Sequence, residues 1–363
     1  MSIIHRRAAG LAVALGVCFA PALASPAPAH GGSSQAVTSN YQVSITSVEP
    51  ATPNLRVSIA DVSGTLQLTW SGPGTVQVDG YENEPYLRFS SAGVERNVHS
   101  PATYLNQNRY ANVSVPATAD AKAAPQWEHV SGSHTMRWHD HLTHWMAPVP
   151  PAVVQTDPSS THVIIDRWQV PLLVDGHPVT VNGRLLWVPP PSPTPWIALA
   201  VGLGLLLIGL MFCPFRRATA CVVAVVGVGA FTVDGFGFLA RNHVGMQPWL
   251  WAIGWPLVGL AAAAVMIVQL RARRSTLPVA MAVVGLVIAV VGGVDRYDGL
   301  TNSQIFSALP EWFARSAAVL SLACGGALVV RYLAELLPMV ITGRQQWPGQ
   351  DAPPPGTAVD PPA

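Results

Sequence analysis

The stretch HTMRWHDHLTHWM, residues 134 to 146, sets His134, His139, His141 and His144 among Met136, Trp138, Trp145 and Met146, in a chain of which only 11% is charged. Imidazoles at this density can bind a transition metal through neutral nitrogen lone pairs, or carry protons near neutral pH. On an extended strand successive side chains alternate faces, so His139 and His141 would project together with Cα atoms about 7 Å apart, a spacing that suits two imidazoles on one ion. Asp140 would point to the other face, and His134 and His144 would approach only through a turn of the chain. Imidazole accepts zinc, copper, iron or nickel, and a thioether from Met136 or Met146 would move the preference toward Cu(I). The competing reading is packing, with Trp138 and Trp145 as anchors and the histidines as their hydrogen-bonding neighbours.

The elements that must position these residues follow from the composition. The chain has 363 residues, 50% hydrophobic, with 33 prolines and a net charge of +1. Without clustered Lys and Arg there is no electrostatic footprint for nucleic acid. Residues 1–29 read as a signal peptide: Arg6 and Arg7 precede an apolar run, and ALA and APA offer cuts after Ala24 or Ala29. Residues 30–188 read as an exported all-β domain, β-sandwich-like, from alternating segments such as YQVSITSV, LRVSI, TLQLTW and YLRFS separated by turn residues. A last pair, HVIIDRWQV and VTVNGRLLWV, is joined through DGHP. This domain contains no cysteine, which excludes a disulfide framework and thiolate metal sites.

The prolines of 189–195 read as a stiff linker. An all-α transmembrane domain of about five helices is expected over 196–334, at 196–213, 219–240, 248–270, 277–294 and 314–334, each near the ~20 residues that cross the hydrocarbon. The arginines of CPFRRAT and RARRS then face the cytoplasm, which places the β domain outside and the tail, 335–363, inside and disordered. The chain is expected to be a multi-pass protein of the plasma (inner) membrane, in contact with membrane lipid. All histidines but His5 fall on its outer side.

Two sets of residues resemble known copper proteins. HTMRWHDH resembles the strand of multicopper oxidases that ends in aromatic-His-x-His and supplies two ligands to a copper cluster. Those oxidases need four such pairs and a cysteine, so the resemblance implies a metal-facing strand and no oxidase activity. His30, directly after APA, together with Asp175 and His177 in VDGHPVTVNGRLLWV, resembles the ligand set of CopC-type copper-resistance proteins, small exported β-sandwiches. That resemblance implies Cu(II) held by the amino group and imidazole of His30, by His177 and by Asp175, in a protein that works beside CopD-type membrane domains or other envelope copper proteins. The same DGHP also reads as an ordinary hairpin turn.

Three functions are compatible with these features. The first is a membrane-anchored, extracytoplasmic protein that binds or handles a metal, copper before zinc. The second is a nonenzymatic envelope protein whose β domain binds another protein or a wall polymer. The third is a metal-dependent enzyme, for which no phosphate loop, HExxH or G-x-S-x-G motif supplies machinery.

Overall fold

The structure, a computed structural model, describes residues 38–214, 216–241 and 277–341. The expected signal peptide, His30, the expected span 248–270 and residues 342–363 lie outside the described residues.

The N-terminal region is β-rich. Its strands are β1 (Thr38–Ser39), β2 (Tyr41–Glu49), β3 (Leu55–Ile59), β4 (Leu66–Trp70), β5 (Val76–Asp79), β6 (Pro85–Ser90), β7 (Gly93–Asn97), β8 (Trp127–Ser131), β9 (Thr135–Trp138), β10 (His162–Val174) and β11 (His177–Trp187). Short helices α1 (Ala102–Leu105) and α2 (Ala152–Thr156) interrupt the series. A seven-stranded antiparallel sheet, β2-β11-β10-β5-β6-β7-β8, faces a three-stranded one, β3-β4-β9. The period-2 pattern of the sequence explains the core. In β4, Leu66, Leu68 and Trp70 are buried while Gln67 and Thr69 are less so, and they meet Val78, Phe89, Trp138, Trp168 and Leu172 from the other strands in one apolar cluster. One such core is what a cysteine-free domain relies on.

The sandwich has two distinguishable ends. At one, the hairpin between β10 and β11 turns through Asp175 and Gly176, both at positive φ, in the expected DGHP turn. At the other, Tyr41 pairs with Trp187 and the chain leaves toward the helices.

The C-terminal part is helical: α3 (Thr194–Leu210), α4 (Arg216–Arg241), α5 (Leu277–Val291), a 3-10 turn at Val294–Arg296, α6 (Asp298–Thr301), β12 (Gln304–Ile305) and α7 (Glu311–Ile341). Three stretches, Arg217–Gly237, Pro278–Thr301 and Glu311–Leu336, are long and apolar enough to cross a membrane, and Thr194–Leu210 is a shorter apolar helix. The described residues therefore hold three helices of spanning length where four of the five expected spans fall. The tail also begins later than expected. The helix runs on through 335–341, carrying the ion pair Arg331–Glu335 (2.6 Å) at i,i+4. Pro195 sits in the first turn of α3, where its missing N–H leaves no bond unmade. Close packing of α5 on α7 requires glycine: a Cβ at Gly285 would lie 2.8 Å from the Gly325 carbonyl oxygen.

The β domain is clamped to the helices. β1 pairs with β12 through Thr38↔Ile305 and Ser39↔Gln304. The Ser303 N–H donates to Asn40 Oδ1 (2.8 Å), and its hydroxyl donates to the Val188 carbonyl (3.0 Å). Arg315 of α7 holds the clamp loop from below, donating to the carbonyls of Gly299, Asn302 and Ser303. Beside the clamp, Arg296 forms an ion pair with the buried Asp234 of α4 at 3.1 Å.

Candidate functional site

The histidine stretch is not one continuous strand. β9 ends at Trp138, whose ring is buried in the sandwich core as expected of an anchor, and the chain then turns on Asp140. Asp140 is 3% exposed. Its carboxylate accepts from Trp138 Nε1 (3.1 Å) and from the Leu142 N–H (3.1 Å), while its backbone carbonyl accepts from the Thr143 N–H (3.1 Å). An aspartate two residues after a strand end, bonding the backbone two residues on, is a local turn signal that competes with extension. The expectation that His139 and His141 share a strand face with Asp140 opposite is thus corrected: Asp140 points inward and folds the segment back.

This turn gathers three of the four histidines. The ring of His144 lies 6.2 Å from that of His139 and 5.7 Å from that of His141, centroid to centroid, edge-on to both. His139 Nδ1 is 3.3 Å from the Thr65 hydroxyl. His141 stacks on Tyr81 with planes 6° apart, its Nε2 donates to the Asn108 carbonyl (3.0 Å) and its backbone N–H donates to the Tyr81 hydroxyl (2.9 Å). His144 is 2% exposed, with Nε2 2.8 Å from the Arg109 carbonyl and Nδ1 3.0 Å from that of Asp140. Gly64 makes room for the turn. It has φ of +91°, and a Cβ on it would stand 3.2 Å from Thr143 Oγ1 and 3.4 Å from His144 Cβ.

Burial sets the electrostatics. It lowers the imidazole of His139 below its ordinary value, against the pull of Asp61 and with the help of Arg109 and His141. It pushes His144 down to about 4, with the bond to the Arg109 carbonyl opposing and the charges of Arg109, His139 and His141 adding. It also raises the Asp140 carboxyl, against the bonds from Trp138 and Leu142. Neutral imidazoles result, and Arg109 Nε lies beside them buried without a hydrogen-bond partner.

The other expected site residues are elsewhere. His134 precedes β9 at its far end, exposed, with Nδ1 3.1 Å from the Ser90 carbonyl. Asp175 serves the turn: its Oδ1 accepts from the Thr75 N–H at 2.7 Å, and His177 is exposed beside it. The histidine loop abuts Val43 through Gly64, and Val43 pairs with Leu185. Leu185 lies eight strand steps from His177, about 26 Å at ~3.3 Å per residue. Asp175 and His177 thus sit at the opposite end of the sandwich from the cluster, for the reason the hairpin itself supplies. Met136 packs against the core. Among the described residues no three side chains of His, Cys, Asp and Glu are grouped to hold one metal ion together.

Sequence reading missed Tyr81, Asn108, Arg109, Thr65 and Gly64. Their bonds to the histidine loop span 33 to 79 residues, so no local spacing marks them. The one cue is Arg109, a charge within the polar run NQNRYAN. Comparison with family models, curated proteins and solved structures finds no match to this chain.

Proposed function

We propose that this chain is a membrane-anchored, extracytoplasmic protein that binds copper, with zinc as the second choice, through the imidazoles of His139 and His141. The observation that carries the reading is the tautomer of His141. Its Nε2–H is committed to the Asn108 carbonyl, so the neutral ring presents its lone pair at Nδ1, the arrangement that a backbone carbonyl bonded to the other ring nitrogen imposes on metal-binding histidines. Burial keeps His139 neutral as well, and the neutral form is the one that ligates. His144 would complete a three-imidazole set only by giving up a carbonyl contact. The chemistry a bound ion would supply is coordination.

The five-span topology with the β domain outside belongs to the same reading, and a parity argument supports it. The C-terminal end of α4 lies at the clamp, since Asp234 pairs with Arg296 and the Ala308 N–H donates to the Gly237 carbonyl (2.8 Å). The C-terminal end of α3 lies at the other side, where Arg331 Nε reaches the Met211 carbonyl (3.4 Å). α5 leads into the clamp loop, so it begins on the side away from the clamp. A chain leaving α4 on one side and entering α5 on the other needs one more crossing, and the apolar segment 248–270 has the composition for it.

A second reading is favoured by one observation. Both ring nitrogens of His144 face carbonyls, which suits a packing knot in a nonenzymatic envelope protein whose β domain binds another protein or a wall polymer. Metal analysis of the full chain, purified in detergent and dialysed against copper or zinc, separates the two. One tight equivalent, lost in His139→Ala/His141→Ala with the fold retained, supports the first. No bound metal in the parent protein returns the loop to the second.

A further inference from the structure

The β domain exposes few large apolar side chains, and most of them are not scattered. Tyr110, Leu142, Val149, Val153 and Val163 are all 39% or more exposed, and among the other large apolar side chains described in the domain only Val115, at 38%, is comparably so. Singly scattered exposed apolar residues need no explanation, whereas a set confined to one end of a domain does.

Their end is the one that meets the helices. Tyr110 follows Arg109, whose carbonyl is bonded to His144, and both residues lie near enough to Tyr41 to act on its hydroxyl. Val149 is tied to the histidine loop by Trp145, whose Nε1 donates to the Val149 carbonyl (2.8 Å). Val153 lies in α2, and the chain just after it meets Trp187, whose Nε1 donates to the Pro158 carbonyl (3.1 Å). Val163 pairs with Leu186. Tyr41 and Trp187 are in turn neighbours of Asn40 and Val188, the two residues that Ser303 clamps. Tyr41 stands two residues past β1, about 7 Å along an extended chain. That is comparable to the depth of a headgroup region, taken as half the difference between the full bilayer and its ~30 Å hydrocarbon. The helices expose an aromatic of the type that favours a membrane interface, Trp312, 63% exposed in the first turn of α7, the helix that follows the clamp loop.

We infer that this rim of the β domain rests in the outer headgroup region of the bilayer that its own helices span, so that the loops carrying His141, His144 and Arg109 are seated on lipid. The inference rests on the membrane reading of the helices and on continuity with their outer ends. Apolar side chains with Tyr and Trp among them suit that interface, where one end of the ring is dry and the other wet.

The test uses the full chain in lipid nanodiscs, with the four native cysteines replaced by alanine. Single variants Val149→Cys, Val153→Cys, Ala51→Cys and Leu205→Cys carry an environment-sensitive fluorophore. Ala51 is exposed at the far end of the sandwich, and Leu205 is exposed on α3. Circular dichroism checks that each variant is folded. A nitroxide carried in the lipid headgroup region should quench Val149 and Val153 strongly and Ala51 not at all, with aqueous iodide giving the reverse order. A deep acyl-chain nitroxide should quench Leu205. Val149 and Val153 labels that respond like Ala51, with Leu205 still quenched, would overturn the rim alone and leave its apolar residues to a protein partner. An unquenched Leu205 would overturn the membrane reading and the rim with it.

Discussion

Lowering the pH should destabilise the β domain through His144. Its imidazole is held at about 4, against an ordinary value near 6.5, because it is buried beside Arg109 and two other imidazoles. The unfolded chain therefore binds the proton more readily, and between these two values each step down in pH favours unfolding. The stabilisation is whole above about pH 6.5 and is lost as pH falls through about 4. From the two values, the loss is about 2 kcal/mol at pH 5 and about 3 kcal/mol by pH 4. His139, shifted in the same direction by the same cause, adds to the acid sensitivity, so the measurement must isolate His144 by difference.

The assay is urea unfolding of the detergent-solubilised chain, followed by the near-ultraviolet circular dichroism of the β-domain tryptophans, for the parent and for His144→Gln. At neutral pH the variant should be the less stable, because a buried carbonyl of Arg109 or Asp140 loses its partner. As pH falls toward about 4.5 the gap between the two proteins should narrow by 2 to 3 kcal/mol, by the same linkage. The opposite sign is a definite alternative. If the two carbonyls hold a doubly protonated ring, the gap widens on acidification, and the argument from burial is refuted.

His139→Ala/His141→Ala should abolish one tight copper or zinc equivalent, measured by metal analysis after dialysis, while the thermal unfolding midpoint stays close to the parent's; undiminished binding would remove these residues from the metal class. Asp140→Ala should destabilise the domain by about 2 to 6 kcal/mol, since Trp138 Nε1 and the Leu142 N–H each lose a buried acceptor at about 1 to 3 kcal/mol apiece; an unchanged urea midpoint would show that the turn does not depend on its carboxylate. Cysteines introduced at Asn242 and Ser275 should react with an impermeant maleimide from opposite sides of the membrane, and labelling of both from one side would sink the crossing by 248–270.

The sequence was most informative where one physical rule acts alone. Alternation in LQLTW put Leu66, Leu68 and Trp70 into the core as expected, and DGHP closed the last hairpin because Asp and Gly tolerate positive φ. The apolar runs located helices at four of the five expected spans, three of them of spanning length, and the fifth, 248–270, lies outside the described residues. The histidine loop was misread because two rules compete there. RWHDH has the alternation of a strand, but Asp140 offers its backbone neighbours a turn and offers Trp138 Nε1 an acceptor, and that local bonding prevails at a sheet edge where β9 pairs only with β4. Arg109 and Tyr81 were illegible because their place beside the histidines is decided by long-range topology, which brings the ends of β5, β7 and β9 together.

Arg109 is where the two readings of the loop meet. Burial holds the imidazoles of His139 and His144 below their ordinary value and the charge of Arg109 adds to this, while the same charge repels any cation the loop would receive. Asp61, fixed by the Ser63 hydroxyl and N–H and acting on His139, works the other way. Coulomb repulsion scales with the charge of the ion, so a monovalent ion meets half the opposition from Arg109 that a divalent one meets at the same place. On the proposed reading the repulsion of Arg109 weighs against a divalent ion there, and the attraction of Asp61, which scales in the same way, opposes it. In the absence of an ion, the same pair of charges leaves a loop whose cohesion depends on His144 staying neutral.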